Sequence, residues 1–327
     1  MGGSPFFGPM LKRIKITFLL VFCASALLAA SYDEKAGEAF NSGLACVRSN
    51  DFRSAMRAFR QATQYDASFA AAYLNIAACH ERLGEFAKAR PFYEKALKLD
   101  GDNANFAFIY AGALFRHGEV FEGKKYLERA VYADPANPDY VYELGVMCLC
   151  LTQKVEAAKC FRAAVDVSTN YSAAWFRLGA LELEDGKTNE SLRLLEKVEL
   201  DCDLAPQAYL LKSRLRKKMG DLDKAESDVR MALKLSKGYD DAYLTLAQIL
   251  REKKNYREAC ELLERVELKS SRGNWSLMLA RLYEEWGDEM LAAGEAETAK
   301  TLYRQGLRFL PEDPSLLGKS GSQSGSK

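Results

Sequence analysis

Histidine is nearly absent from this chain of 327 residues: only two occur, His80 and His117. Imidazole-rich metal centres and triads that relay a proton through histidine have little to be built from. Eight cysteines are present, yet none falls in a Cys-x-x-Cys pair that would mark a zinc or redox site. Glycine-rich phosphate loops of the Walker type and nucleophile elbows are also missing. The adjacent carboxylates Glu284 and Glu285 suit a solvated helix face better than paired acid and base work. No catalytic residue, cofactor or metal is therefore expected. Charge of one sign is lacking too, with 46 basic residues against 45 acidic ones, which argues against a nucleic-acid partner. The longest uncharged run, 16–30, has about 15 residues, short of the roughly 20 that a spanning helix needs.

What the chain does have is a period of 34. Counted from Ala36, a small residue fills the eighth position of each unit as Gly43, Ala77, Ala111, Gly145, Gly179, Ser213 and Ala247. The twentieth position repeats the pattern with Ala55, Ala89, Gly123, Ala157, Ser191, Ala225 and Ala259. Between them Tyr73, Ile76, Ala77 and His80 stand at i, i+3, i+4 and i+7, one face of a helix, and Ala89, Tyr93 and Ala96 form another. Gly84, Gly118, Gly186, Gly220 and Gly294, with Asn50 as substitute, mark the turn joining the two helices. A bulky apolar residue in the second helix (Phe59, Tyr93, Leu127, Phe161, Leu195, Val229, Leu263) is expected to fill the space between hairpins. Units of this kind bury their apolar faces by stacking on neighbours.

The fourth unit, with Leu144, Gly145, Ala157, Phe161 and Ala164, and the fifth, with Trp175, Leu178 and Gly179, resemble the tetratricopeptide repeat. That family's proline at position 32 survives only as Pro135 and Pro311. The resemblance implies an all-α, right-handed α-solenoid of about eight hairpins over residues 32–314, with repeats starting near 36, 70, 104, 138, 172, 206, 240 and 280. The eighth repeat fits only after a shift, so residues 270–275 read as an insertion with a longer first helix, giving sixteen helices and no strand. It also implies a groove lined by the first helices, reached by positions 5 and 13. Position 5 reads Phe40, Leu74, Phe108, Tyr142, Phe176, Leu210 and Leu244, an apolar ladder for packing or for ligand contact. Position 13 carries Arg48, Arg82, Arg116 and later Lys218, a basic rail or a solvated rim. Candidate groove contacts are thus Phe108, Tyr142, Phe176, Arg48, Arg82, Arg116 and Lys218, and the expected ligand is a protein or peptide. The carboxylate clamp of chaperone-binding members is not matched, since Phe40 and Leu44 replace its lysine and asparagine.

The ends carry separate signals. Lys12, Arg13 and Lys15 precede the apolar run, and Ala29, Ala30 and Ser31 close it, the order of a secretory signal peptide over residues 1–31 with Met10 as an alternative start. Either cleavage or retention as an anchor would place the repeats outside the cytoplasm, in the periplasm or at the envelope, with no other membrane contact. Residues 315–327 read as a disordered tail of Gly, Ser and Lys. No helix is expected to cap the last repeat, leaving Leu302, Leu307 and Phe309 as an edge open to self-association. The function expected is a non-enzymatic adaptor in envelope assembly. Its alternatives are an anchored scaffold that self-associates through its edges, or the regulatory arm of a larger enzyme.

Three finer expectations follow. Cys46, Cys79 and Cys148 fall at core positions as buried free thiols, with no disulfide framework. His80, at position 11, is a core residue. Lys212 and Arg216 occupy positions that other repeats give to apolar residues, and Glu182 of the preceding repeat is their expected partner across the seam.

Overall fold

The computed structural model describes residues 34–200, 202–267 and 275–321. The expected signal segment and the start of the insertion lie outside them. The chain divides into two compact units, Met1–Ala174 and Trp175–Lys327. Every regular element among the described residues is a helix. The first unit pairs α1 (Glu34–Arg48) with α2 (Phe52–Tyr65), α3 (Ala70–Arg82) with α4 (Phe86–Leu99), α5 (Ala104–Arg116) with α6 (Val120–Ala133), and α7 (Pro138–Cys150) with α8 (Lys154–Val167). α9 (Ser172–Glu184) and α10 (Thr188–Leu195) follow. The second unit continues with α11 (Ala205–Lys218) on α12 (Leu222–Leu235), α13 (Asp240–Glu252) on α14 (Tyr256–Glu267), and α15 (Ser276–Ala292) on α16 (Ala296–Leu307). α15, at 17 residues, is the longer first helix expected after the insertion. A seventeenth helix, α17 (Pro314–Ser320), was not expected.

Local chemistry sets the boundaries. The Asp51 carboxylate accepts from the Ser54 amide at 3.0 Å and starts α2, and Asn103 caps α5 in the same way. The turns inside the hairpins need a left-handed residue, supplied by Gly84, Gly118, Gly186, Gly220 and Gly294 at φ of 77° to 88° and by Asn50 at 60°. Thr152 and Lys254 take the same slot with side chains that disfavour it, at φ of 62° and 60°. Thr152→Gly is therefore expected to stabilise the fold by about 1 kcal/mol, read as a higher urea midpoint at unchanged slope.

The small positions receive the bulky ones. A Cβ on Gly43 would come within 2.5 Å of the Phe59 ring, one on Gly145 within 2.6 Å of Phe161, and one on Gly179 within 2.8 Å of Leu195. Phe59, Phe161 and Leu195 thus close on the first helix of their own hairpins, whereas Tyr93 of α4 stacks on Tyr110 of the next hairpin at 5.0 Å, so the large residues serve both contacts. Helices approach closely because a hydrogen stands where a methyl would be, and the ring takes that volume.

α17 corrects the expected tail and the expected open edge. Asp313 caps it, Pro314 occupies its first turn, and Leu316 is fully buried against Ala280, Ala299 and Tyr303. Leu302 is buried, and Leu307 and Phe309 are partly covered. A charged clasp holds the helix: Glu284 accepts from Lys319 at 3.0 Å, from Arg281 at 2.6 Å and from the Ser315 hydroxyl, while Lys319 also reaches Asp288 at 2.7 Å. Burial alone raises the Glu284 carboxyl, but those hydrogen bonds outweigh it and hold the group at about 2, against 4.5 when free. A lowered carboxyl contributes stability that is present above 4.5 and lost as the pH falls toward 2. Hydrogen exchange in Leu316–Ser320 is expected to rise over that window ahead of exchange in α16. Equal rises in both would show that the clasp does not hold α17.

Candidate functional site

The expected apolar ladder is mostly interior. Phe40, Leu74, Tyr142, Phe176 and Leu210 are buried, Tyr142 at 7% exposure and Phe176 at 4%. Tyr142 stands between Phe161 and Tyr171, with centroids 5.5 and 5.2 Å away. These residues pack, which removes Tyr142 and Phe176 as surface contacts. Phe108 is partly buried, with its ring 4.8 Å from that of Tyr140.

The basic residues end their helices, Arg48 on α1, Arg82 on α3, Arg116 on α5 and, in the second unit, Lys218 on α11; all four are exposed. Their partners differ. Arg116 donates to Glu81 of α3 from Nε at 2.7 Å and from Nη2 at 3.0 Å. The Tyr93 hydroxyl of α4 donates to the same carboxylate at 2.8 Å, and His117 Nε2 lies 3.7 Å away. Burial raises the Glu81 carboxyl, but Arg116 and Tyr93 outweigh this and keep it below its ordinary value. Arg116 is thus a structural tie between two repeats, a correction to its expected place on a free rim. Arg48 and Arg82 have no carboxylate partner among the described residues.

Aromatic rings flank this tie. Phe86 at the start of α4 stacks on His117 with centroids 3.9 Å apart, and the Arg90 guanidinium sits 5.6 Å from the Phe86 ring centre while pairing with Glu119 and Glu122 of the next repeat. His80 is buried as expected, stacked on Phe92 at 5.5 Å with Nδ1 2.8 Å from Glu85. The histidines therefore pack and bridge. Among the described residues no group of three or more His, Cys, Asp or Glu stands where it could hold a metal ion.

In the second unit the expected seam is replaced. Lys212 and Arg216 turn to Asp228 of α12, at 3.7 and 2.5 Å, and Arg216 also reaches Glu196 at 2.8 Å. Glu182 takes Lys187 at 2.7 Å instead. Arg216 at position 11 thus meets Asp228 across its own hairpin and Glu196 at the end of the preceding repeat, rather than Glu182.

The stacked hairpins define an α-solenoid of helical repeats. Residues 40–104, and then 82–144 and 217–282, match two family models that both describe the tetratricopeptide repeat, together more than half of the chain. The chain belongs to the tetratricopeptide repeat family. It is 23% identical over 247 residues to the TPR repeat-containing protein YpiA of Bacillus subtilis (strain 168), covering 73% of this chain and 57% of that protein. It is 31% identical over 126 residues to DnaJ homolog subfamily C member 3 of Bos taurus, covering 38% of this chain and 25% of that protein. The chain thus spans little more than half of one curated relative and a quarter of the other. Among solved structures, Pseudomonas aeruginosa pilF aligns with TM-score 0.55 at 22% identity over 67% of this chain and 98% of that one. PilW, described as a widely conserved type IV pilus biogenesis factor, aligns with TM-score 0.51 at 18% identity over 67% and 99%. At these identities the likeness is one of fold. No helix among the described residues is long and apolar enough to cross a membrane.

Proposed function

We propose that this chain is a non-enzymatic adaptor that holds an acidic protein or peptide segment on the face lined by α1, α3 and α5, in the assembly of a cell-envelope structure. The observation that carries the binding reading is the pair Arg48 and Arg82, exposed at equivalent helix ends and unengaged by carboxylates among the described residues. An arginine without an internal partner keeps its full fork of donors for a carboxylate from outside. The envelope setting is supported by the basic, apolar, small order of residues 12–31 and by the likeness in fold to PilW, described as a type IV pilus biogenesis factor.

Crosslinking pulldown from envelope fractions identifies the partner. Arg48→Glu with Arg82→Glu is then expected to weaken binding at low salt by more than tenfold while leaving the melting temperature unchanged. Arg116→Glu behaves differently: it sets two carboxylates face to face at Glu81 and lowers the melting temperature. A double variant that binds as tightly as the parent at low salt would sink the reading.

A further inference from the structure

Inside each hairpin the eleventh position of the first helix faces the twenty-third position of the second. In α3 and α4 these positions hold His80 and Phe92, whose rings stack. In α11 and α12 they hold Arg216 and Asp228, an ion pair at 2.5 Å. In α7 and α8 the equivalent residues are Cys148 and Cys160. The repeat phase sets the two thiols opposite each other as it does those two pairs, close enough for each to act on the acidity of the other. Cys148 is buried and Cys160 is partly open to solvent.

The surroundings favour a reactive pair. The Cys160 thiol hydrogen-bonds to Cys148 and, against burial, holds the Cys148 thiol below its ordinary value while its own is pushed well up, so the pair gives up its first proton more readily than a lone buried thiol and keeps its second more tightly. The Lys124 ammonium of α6, itself 3.0 Å from Glu128, attracts both sulfurs. Cys79 and Cys260 offer a contrast within the same chain, because burial pushes both thiols up to about 12. A thiol that stays protonated neither attacks nor is oxidised readily.

We propose that Cys148 and Cys160 are a reversible oxidation site, a dithiol that closes to a disulfide across the α7–α8 hairpin on meeting a small-molecule disulfide. Cys160, the accessible sulfur, attacks one sulfur of that disulfide as the Cys148 thiolate takes its proton, forming a mixed disulfide and expelling a small thiolate that then takes the proton from Cys148. The Cys148 thiolate then attacks the Cys160 sulfur, forming the internal bond and expelling the second small thiolate. Two protein thiols are oxidised and one external disulfide is reduced to two thiols. The bridge ties the first helix of the fourth repeat to its second and restrains local opening of that hairpin.

The test uses the full chain and oxidised glutathione as probe. After incubation, free thiols are alkylated with iodoacetamide and the peptides mapped by mass. The expected result is a Cys148–Cys160 bridged peptide, reversed by dithiothreitol, with Cys79 and Cys260 alkylated only after unfolding. Cys148→Ser is expected to trap Cys160 as a stable glutathione mixed disulfide. Wild-type protein carrying glutathione on Cys160 with no bridged peptide overturns the proposal, since the resolving thiol would then be out of reach. So does a bridge from Cys148 to any other cysteine. Both readouts come from the unsubstituted chain, so a variant that fails to fold leaves them intact.

Discussion

Asp228→Asn is expected to lower folding stability by about 3 to 5 kcal/mol. Asp228 is buried at 5% exposure, and its carboxylate is the common partner of Lys212 and Arg216. Removing its charge leaves two cations in the hairpin with only Glu196, half in solvent, to answer Arg216. The cluster does not stabilise in proportion. Burial raises the Asp228 carboxyl and lowers the Lys212 ammonium from their ordinary values, even though each feels the other's opposite charge. Desolvation therefore outweighs attraction at both groups, the mark of an ion cluster that is costly to break and of little net benefit to keep. Replacing all three together, with Lys212→Met, Arg216→Met and Asp228→Leu, is expected to leave stability near that of the parent. Urea melts of the single and triple variants decide the matter, and a single variant within about 1 kcal/mol of the parent would reduce the cluster to a surface bridge.

The choice of Asp228 over Glu182 shows which part of this protein was legible in the sequence. The period identified equivalent residues in every hairpin, and with them the helix pairs, the small and large contacts and the left-handed turns. It did not identify which neighbour an equivalent residue faces. Position 11 looks inward to position 23, as His80 on Phe92 and Arg216 on Asp228 both show, and the carboxylate that Arg216 meets in the preceding repeat is Glu196 at the end of α10 rather than Glu182 on α9. Arg116 left the basic rail for a related reason. Glu81 and Arg116 stand one position out of phase and one repeat apart, so an offset of a period plus one would have revealed the tie. α17 was hidden by composition. Its Ser, Gly and Lys look unstructured alone, and only the docking of Leu316 and the reach of Lys319 to Glu284 and Asp288 make it a helix.

Gly123→Ile is the second large effect expected, a loss of about 3 kcal/mol from overpacking. Gly123 lies on α6 where a Cβ would stand 2.9 Å from the carbonyl oxygen of Ala111 on α5 and 3.4 Å from the Leu114 Cβ. The first of these is backbone and cannot rotate away, so the two helices must separate to admit any side chain. Gly123→Ala separates the two forces at work. Alanine gains about 1 kcal/mol over glycine in a helix interior, and the clash with the Ala111 carbonyl opposes it, so that variant is expected to be neutral or destabilised. Ala157, the equivalent residue of α8, is fully buried and already carries its Cβ. Ala157→Ile adds only the outer carbons and should fall lower in the range of about 1 to 3 kcal/mol. The order Gly123→Ile below Ala157→Ile below parent, measured by urea melts, follows from which atom each Cβ meets. Melts of Gly123→Ile that match the parent would mean that α5 and α6 do not approach at the spacing described.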